Sequence, residues 1–451
     1  MVLGYDKEDT LTNKTVYRKR NRHNITHKMK RKEVKMDNYI THLHAQNTGI
    51  FEELDISFNK KFNFIVGPNG CGKTSILKCI ALSLAPSDSR GFRYGNNSAV
   101  WFDAAYDNKN YRVGLGEGWV SNIDEYRQAS HSSWKKPPQQ EGILSYTVNK
   151  LEEENINITP LILGAYRRIE YQRIEGMHRE PSFAVQRKNY HSSGFKNIEG
   201  GSLPNVKQWM INRYFEIEKD WATVYKRNWD WIIDNLENLG PSNCKLQFKA
   251  IKRDLEPMFT LQNIDCYLEE ISAGFQAILS LVFAIVEWIE GTNDERYAYI
   301  PEATGTVIID ELDVHLHPEW QLTIRKSLAT LFPNLQFIIT THSPHLITSA
   351  EAGELIVLSE LSRKVCVAPT AQKYSGWNTD EVLEEIMGVS NLENKEYSLL
   401  LNQAMDYIET RDIDALKDSI IKLKDIVHPS NTILHVMKVK LAQIELGDEN
   451  D

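Results

Sequence analysis

Thirteen residues constrain this chain more than any others: Phe62 to Thr74, FNFIVGPNGCGKT. A short apolar β-run, Phe62 to Val66, leads into Gly67-Pro68-Asn69-Gly70-Cys71-Gly72-Lys73-Thr74, which matches G-x-x-x-x-G-K-[ST] in full, and Ser75 follows. Glycines at 67, 70 and 72 allow backbone angles that aim successive N–H groups at a phosphate chain. The helix expected from about Gly72 adds its positive end. Lys73 is placed to reach the β- and γ-phosphates and Thr74 to ligate Mg²⁺. Ile76, Leu77, Ile80 and Leu84 continue at helical spacing and Pro86 ends the run. The motif therefore has the strand before and the helix after that phosphate binding requires. Cys71 reads as a small loop residue rather than a redox switch.

A second stretch, Val307 to Trp320, reads VIIDELDVHLHPEW. Asp310, Glu311, Asp313, His315 and His317 crowd together, and their spacing alone admits a zinc or manganese site. The residues before them favour another reading. Thr306 to Ile309 is a short β-branched run, the pattern of a strand buried on both faces of a parallel sheet. Acids at the carboxyl end of such a strand lie where α/β folds bind ligands. With a phosphate loop upstream, Asp310 would hold Mg²⁺ and Glu311 would polarise the attacking water; phosphoryl transfer asks for little more than such positioning. His315 and His317 then belong to the turn that leaves the strand.

Leu335 to Thr341 is another buried-strand run, and it delivers His342 at its end, suited to stabilising charge near a γ-phosphate. Upstream, Glu270 to Leu281 (EISAGFQAILSL) places Ser272 at the start of an apolar-periodic helix, a second helix N-terminus.

Bulk composition sets limits on the rest. The chain has 451 residues and an ordinary globular content of apolar (41%) and charged (25%) residues, enough for two or three domains. No run of about 18 apolar residues marks a membrane span, and the polar, basic start lacks a secretory apolar region. Five scattered cysteines without a CxxC pair suit a reducing cytoplasm. Residues 1–36 hold 11 Lys or Arg against 4 Asp or Glu, +7, so the remainder carries −16 of the net −9. That first segment is expected to be a flexible basic arm, with Met36 an alternative start, and the body is no general polyanion binder.

The ordered set of phosphate loop, Ser272-Ala273-Gly274, Asp310-Glu311, Asp313 and His342 resembles the ABC-type ATPase heads shared by recombination, chromosome-structure and overcoming-lysogenisation proteins. One departure stands out: Phe275 occupies a position usually held by Glu, Arg or Gln. The resemblance implies an α/β P-loop head with a mixed sheet, ATP and Mg²⁺ as ligands, and homodimerisation. In such a dimer each phosphate loop faces the other copy's Ser272, Gly274 and Asp313. The head is expected over residues 37–95 and 262–370, an α-rich insertion over 96–261 and a short helical tail over 371–451.

Proline and glycine recur through the insertion and no heptads persist, which excludes a long coiled-coil rod. Trp209, Trp221, Trp229 and Trp231, with Phe215, Tyr225, Ile232 and Leu236, predict one or two core-packed helices. Arg167, Arg168, Arg173, Arg187 and Lys188, interleaved with aromatics, form a candidate DNA or RNA contact. Gln172 is a candidate metal-contacting glutamine. In the tail, Asn378 or Thr379 is expected to cap a helix ended by Gly388, followed by helices at about 393–410, 413–427 and 430–445. No Toprim-like nuclease set follows His342, so no intrinsic nuclease is expected. The whole plan resembles the ATPase subunits of bacterial anti-phage complexes, which assemble as multimers and hold an HNH-type nuclease. The alternative is a repair-type ATPase that binds DNA directly.

Overall fold

The computed structural model describes residues 37–85, 94–120, 132–201, 205–241, 245–294, 297–359, 362–389, 395–428 and 431–448. The basic arm, Met36, Pro86 and Cys244 lie outside them.

The chain begins with β1 (Asn38–Thr48), β2 (Phe51–Ser57), β3 (Phe62–Val66) and α1 (Lys73–Leu84). β4 (Tyr94–Tyr106), β5 (Lys109–Val120), β6 (Ser132–Trp134) and β7 (Ile143–Tyr146) follow, then α2 (Val148–Glu153) and β8 (Leu161–Leu163). Next come α3 (Phe183–Ile198), α4 (Val206–Glu216) and α5 (Thr223–Asn235), and a hairpin unit of β9 (Leu246–Ile251), β10 (Pro257–Leu261) and β11 (Ile264–Tyr267). The second half runs α6 (Ala273–Thr292), β12 (Gly305–Ile309), α7 (Pro318–Leu331), β13 (Leu335–Thr340), α8 (Pro344–Ser349), β14 (Leu355–Val357) and β15 (Lys364–Val367). Four helices close the chain: α9 (Thr379–Glu385), α10 (Lys395–Thr410), α11 (Ile413–Ile426) and α12 (Thr432–Asp448).

Five strands form an all-parallel sheet in the order β14-β3-β13-β12-β8. Its residues alternate between two cores, as the two-residue period of a strand demands. Phe64, Leu163, Val307, Ile309, Phe337 and Ile339 face a cluster that includes most of α6. Ile65, Ile162, Ile308, Ile338 and Ile356 face the other cluster, with α1 and the second sheet. Burial on both faces explains why these strands read as continuous β-branched runs. The second sheet is mixed and seven-stranded, ordered β15-β2-β1-β4-β5-β6 with β7 beside β5.

One expectation needs correction. The insertion boundary at residue 96 falls inside β4, and β8 completes the parallel sheet by pairing with β12. Residues 94–163 therefore contribute strands to both sheets rather than a helical lid. The signal was weak because the pairing partner of Leu161–Leu163 lies almost 150 residues downstream, at Val307–Ile309. α6, interrupted by Gln276 and Glu287, is 20 residues long and apolar enough to cross a membrane by length and composition, and it is a buried helix of the larger core.

Within the insertion, Trp209 and Trp229 are buried and lie against each other in α4 and α5. Trp221 and Phe215, expected in that core, are 63% and 44% exposed. Trp221 sits in the 3-10 turn between the two helices and its ring meets Tyr225 edge-on instead. In the tail, Val382, Ile386 and Met387 join the main core, whereas α10, α11 and α12 assemble a separate cluster around Ala404, Leu416, Leu423 and Met437.

Candidate functional site

The carboxyl ends of β3, β12 and β13 meet at one place, because the strands are parallel and adjacent in register. β3 ends at Val66 and turns into the phosphate loop. Gly67, Gly70 and Gly72 adopt φ of 147°, 78° and 102°, the left-handed region that glycine enters without penalty. A Cβ at Gly67 would come 2.5 Å from the carbonyl oxygen of Leu358, and one at Gly72 2.7 Å from Ile50. The loop is thus locked between β14 and the β1–β2 turn. A Cβ at Gly70 would meet nothing within 4 Å, so the loop is open on that side. Pro68 and Asn69 form its outer arc, Ser75 lies in the first turn of α1, and Cys71 is buried with its sulfur 3.9 Å from Lys73 Nζ.

Lys73 donates from Nζ to the carbonyl oxygens of Gly67 and Pro68, 2.9 Å each, folding the ammonium back over the loop. Burial pushes its pKa below the ordinary value, opposed by Cys71, Glu311 and Asp310. Thr74 Oγ1 lies 3.1 Å from both carboxylate oxygens of Asp310. A hydroxyl facing a carboxylate is the oxygen set that a hard divalent cation takes, so the residues present fit Mg²⁺.

The acidic turn after β12 is held tightly. Thr340 Oγ1 donates to Asp310 (2.6 Å) and accepts the amide of Glu311 (2.8 Å). Glu311 has φ 48°, a left-handed conformation rare for a side chain of its size. Asp313 accepts from Thr341 Oγ1 (2.6 Å) and from the amide of His342 (3.1 Å), fastening this turn to the segment after β13. Ser343 caps α8 and donates to Gln321, which in turn donates to the carbonyl oxygen of Leu316. Burial, and then the charge of Lys73, push the pKa of His342 below the ordinary imidazole value, opposed by Asp313, Glu311 and Asp310. His315 and His317 belong to the exit turn: His315 has φ 68°, and His317 accepts the amide of Glu319 at the start of α7. Among the described residues no three His, Cys, Asp or Glu side chains gather as a metal site of their own.

Ser272 starts α6 with an exposed side chain that makes no capping bond, and Gly274 lies 3.3 Å, by its virtual Cβ, from the carbonyl oxygen of His315. Phe275 is buried and meets Trp320 edge-on, with centroids 4.5 Å apart. A core contact with α7 therefore accounts for an aromatic residue at this otherwise polar position.

Not all of the basic cluster faces solvent. Arg168, Arg173 and Lys188 are exposed. Arg187 donates to Thr292 and Asn155. Arg167 is a correction: it is 1% exposed and donates to the carbonyl oxygens of Gly164, Asp310 and Glu311. Its flanking sequence, Gly-Ala-Tyr-Arg-Arg, gives no sign of which arginine turns inward. Gln172 is exposed and accepts from Asn205. The phosphate loop has a further neighbour that no local pattern signals: Gly388, with φ 66°, lies against Pro68, and α9 rests on α8.

A buried parallel sheet, the glycine-bent loop, the facing pair of Thr74 and Asp310 and the strained Glu311 define an ABC-type ATPase head. Two family models agree with that class: "AAA ATPase domain" matches residues 183–347 and "AAA domain" residues 42–109. Within the class, the chain resembles PtuA. It is 25% identical to "Septu protein PtuA" of Bacillus thuringiensis over 90% of this chain and 98% of that one. It is also 35% identical to "Retron Vc95 probable ATPase" of Vibrio cholerae serotype O1 biovar El Tor, over 34% of this chain and 30% of that one. A solved "SMC head domain from Thermotoga maritima" superposes with a TM-score of 0.41 and 14% identity, over 74% of this chain and 99% of that one.

Proposed function

We propose that this chain is the ATP-dependent regulatory subunit of an anti-phage defence complex and that it controls a partner HNH-type nuclease of the PtuB kind. The observation that carries this reading is the likeness to PtuA along nearly the whole of both chains, combined with a complete set of nucleotide-binding groups. Two copies close head to head, each offering Ser272, Gly274 and Asp313 to ATP on the other's phosphate loop. The full site then exists only in the dimer.

In that site the amides of residues 67–75 cradle the phosphates, and Lys73 swings from its carbonyls to the β- and γ-oxygens. Thr74 and Asp310 would hold Mg²⁺, which supplies neutralisation of the phosphate charge. Glu311 accepts a proton from, and orients, the attacking water. His342 donates to the γ-phosphate and registers its presence. Since Asp313 already holds the amide of His342, loss of the γ-phosphate would be felt at the dimer contact.

The test is a pull-down of the tagged chain expressed from its own operon, with mass spectrometry of what survives a salt wash. A stoichiometric nuclease supports the regulatory reading. A chain recovered alone or with DNA supports direct DNA binding, through exposed Arg168, Arg173 and Lys188. In parallel, Glu311→Gln should trap an ATP-bound dimer visible by size exclusion. Lys73→Ala should remove ATP binding, and retained binding would show that the phosphate loop has been misread.

A further inference from the structure

Arg167 is a buried cation whose hydrogen-bond partners are main-chain carbonyls. One terminal nitrogen donates to Gly164 (3.0 Å) and to Asp310 (2.9 Å), the other to Glu311 (2.5 Å). Burying a guanidinium in this way is costly and needs a return. The planar fork spans two consecutive carbonyls, and therefore fixes the orientation of the peptide between Asp310 and Glu311. That peptide enters the left-handed residue Glu311, whose amide is held from the other side by Thr340. A conformation that the residue itself disfavours is thus over-determined from two directions.

The arginine also hangs on a segment with its own anchors. It lies in the irregular stretch between β8 and α3. A few residues on, Tyr171 sits under the ammonium of Lys207, 4.5 Å from the ring centroid, and Gln172 accepts from Asn205, the residue that caps α4. Lys207 is ion-paired with Glu256 and Glu269, the latter three residues before Ser272. α4 is joined to α6 by Arg213 and Trp209, which both donate to Glu290. A route therefore runs from the helix that begins at Ser272, through α4 to Tyr171 and Gln172 by side-chain contacts, and from there along the main chain to Arg167 and the backbone of Glu311.

We propose that Arg167 is the positioning residue for Glu311, and that its segment carries the placement of α4 and of the Ser272 helix to the peptide that aims the carboxylate. This rests on the reading of Glu311 as the group that orients the attacking water. A partner on the exposed side chains Tyr166, Arg168 and Tyr171 would then set the hydrolysis rate without touching ATP, and dimer contact at Ser272 would reach Glu311 by this route in addition to its own contact with ATP.

The experiment measures steady-state ATP hydrolysis by the full chain, with ATP affinity and melting temperature alongside. Glu311→Gln should lose roughly 10²-fold or more in kcat. Arg167→Lys keeps the charge but loses the fork; kcat should fall by about 10- to 100-fold while KM for ATP stays within about twofold. The double variant should be no slower than Glu311→Gln alone, since both act through one group. Gln172→Ala, on an exposed side chain, should lower kcat several-fold at unchanged melting temperature. The inference is overturned if Arg167→Lys keeps wild-type kcat where Glu311→Gln is inactive, or if the double variant multiplies the two losses. Should Arg167→Lys fail to melt cooperatively, Gln172→Ala decides, and an unchanged kcat there overturns the inference. Wild-type hydrolysis by Glu311→Gln would instead sink the reading of Glu311 on which it rests.

Discussion

Thr340 and Asp310 are joined by a hydrogen bond of 2.6 Å between the ends of adjacent parallel strands. The same hydroxyl accepts the amide of Glu311, so one β-branched residue on β13 orients the first two of the acids that follow β12. Thr340→Val keeps the shape and removes both bonds. It should cost about 1–3 kcal/mol in urea denaturation, because a buried carboxylate oxygen and amide lose their partner. Hydrolysis should fall further than ATP affinity, and equal losses in both would mean that the hydroxyl does not orient Glu311.

Phe275 is expected to be a stability residue. It is buried edge-on against Trp320 at the start of α6. Phe275→Ala should lower stability by about 3–5 kcal/mol through the cavity it leaves. Phe275→Glu, which restores a polar side chain, should do at least as much harm by burying a charge. Calorimetry of the purified variants decides; a Phe275→Glu variant as stable as wild type would show that this turn reorganises freely.

The carboxyl of Glu287 on α6 gives a pH signature. Burial, and then repulsion from Glu180, push it from 4.5 up to about 7, with Glu290 adding to the rise and Arg213 opposing it. Between those values the folded chain holds a proton that the unfolded chain has released. Its contribution to stability is therefore complete below the unfolded value and is lost as pH rises through the folded one. Glu287→Gln should flatten the fall in melting temperature between about pH 5 and pH 8. An unchanged slope would assign the pH dependence elsewhere.

Gly388 tests whether the tail supports the phosphate loop. Its φ of 66° disfavours any side chain, and a Cβ would stand 3.0 Å from Pro68 Cγ. Gly388→Ala should cost about 1–2 kcal/mol in local conformation and weaken ATP binding by pressing on the loop. Titration with a fluorescent ATP analogue reads this directly, and unaltered affinity would separate the tail from the site.

What the sequence makes legible here is what is local. The strand, the bent loop and the helix from Phe62 to Leu84 lie in one continuous stretch, so composition and spacing suffice. Asp310 and His342 follow the same logic, each closing a β-branched run. Leu161–Leu163 is only three residues long and takes its meaning from a partner far downstream, which no local pattern signals. Arg167 shows a second limit. An arginine among aromatics looks the same whether it faces solvent or main-chain carbonyls, and only the three-dimensional pairing tells them apart. Trp221 is the reverse case, an apolar side chain left outside because it occupies the turn between α4 and α5.

The cluster around Ala404, Leu416, Leu423 and Met437 shares no member with either larger core. Cooperativity follows shared burial, so the last three helices form a unit whose opening need not disturb the nucleotide site. Local unfolding or substitution in these helices can therefore alter the surface they present while the core around the nucleotide site is kept. Two parts under separate physical control can drift apart over generations, the tail changing its outer surface while the head is held in place by its own packing.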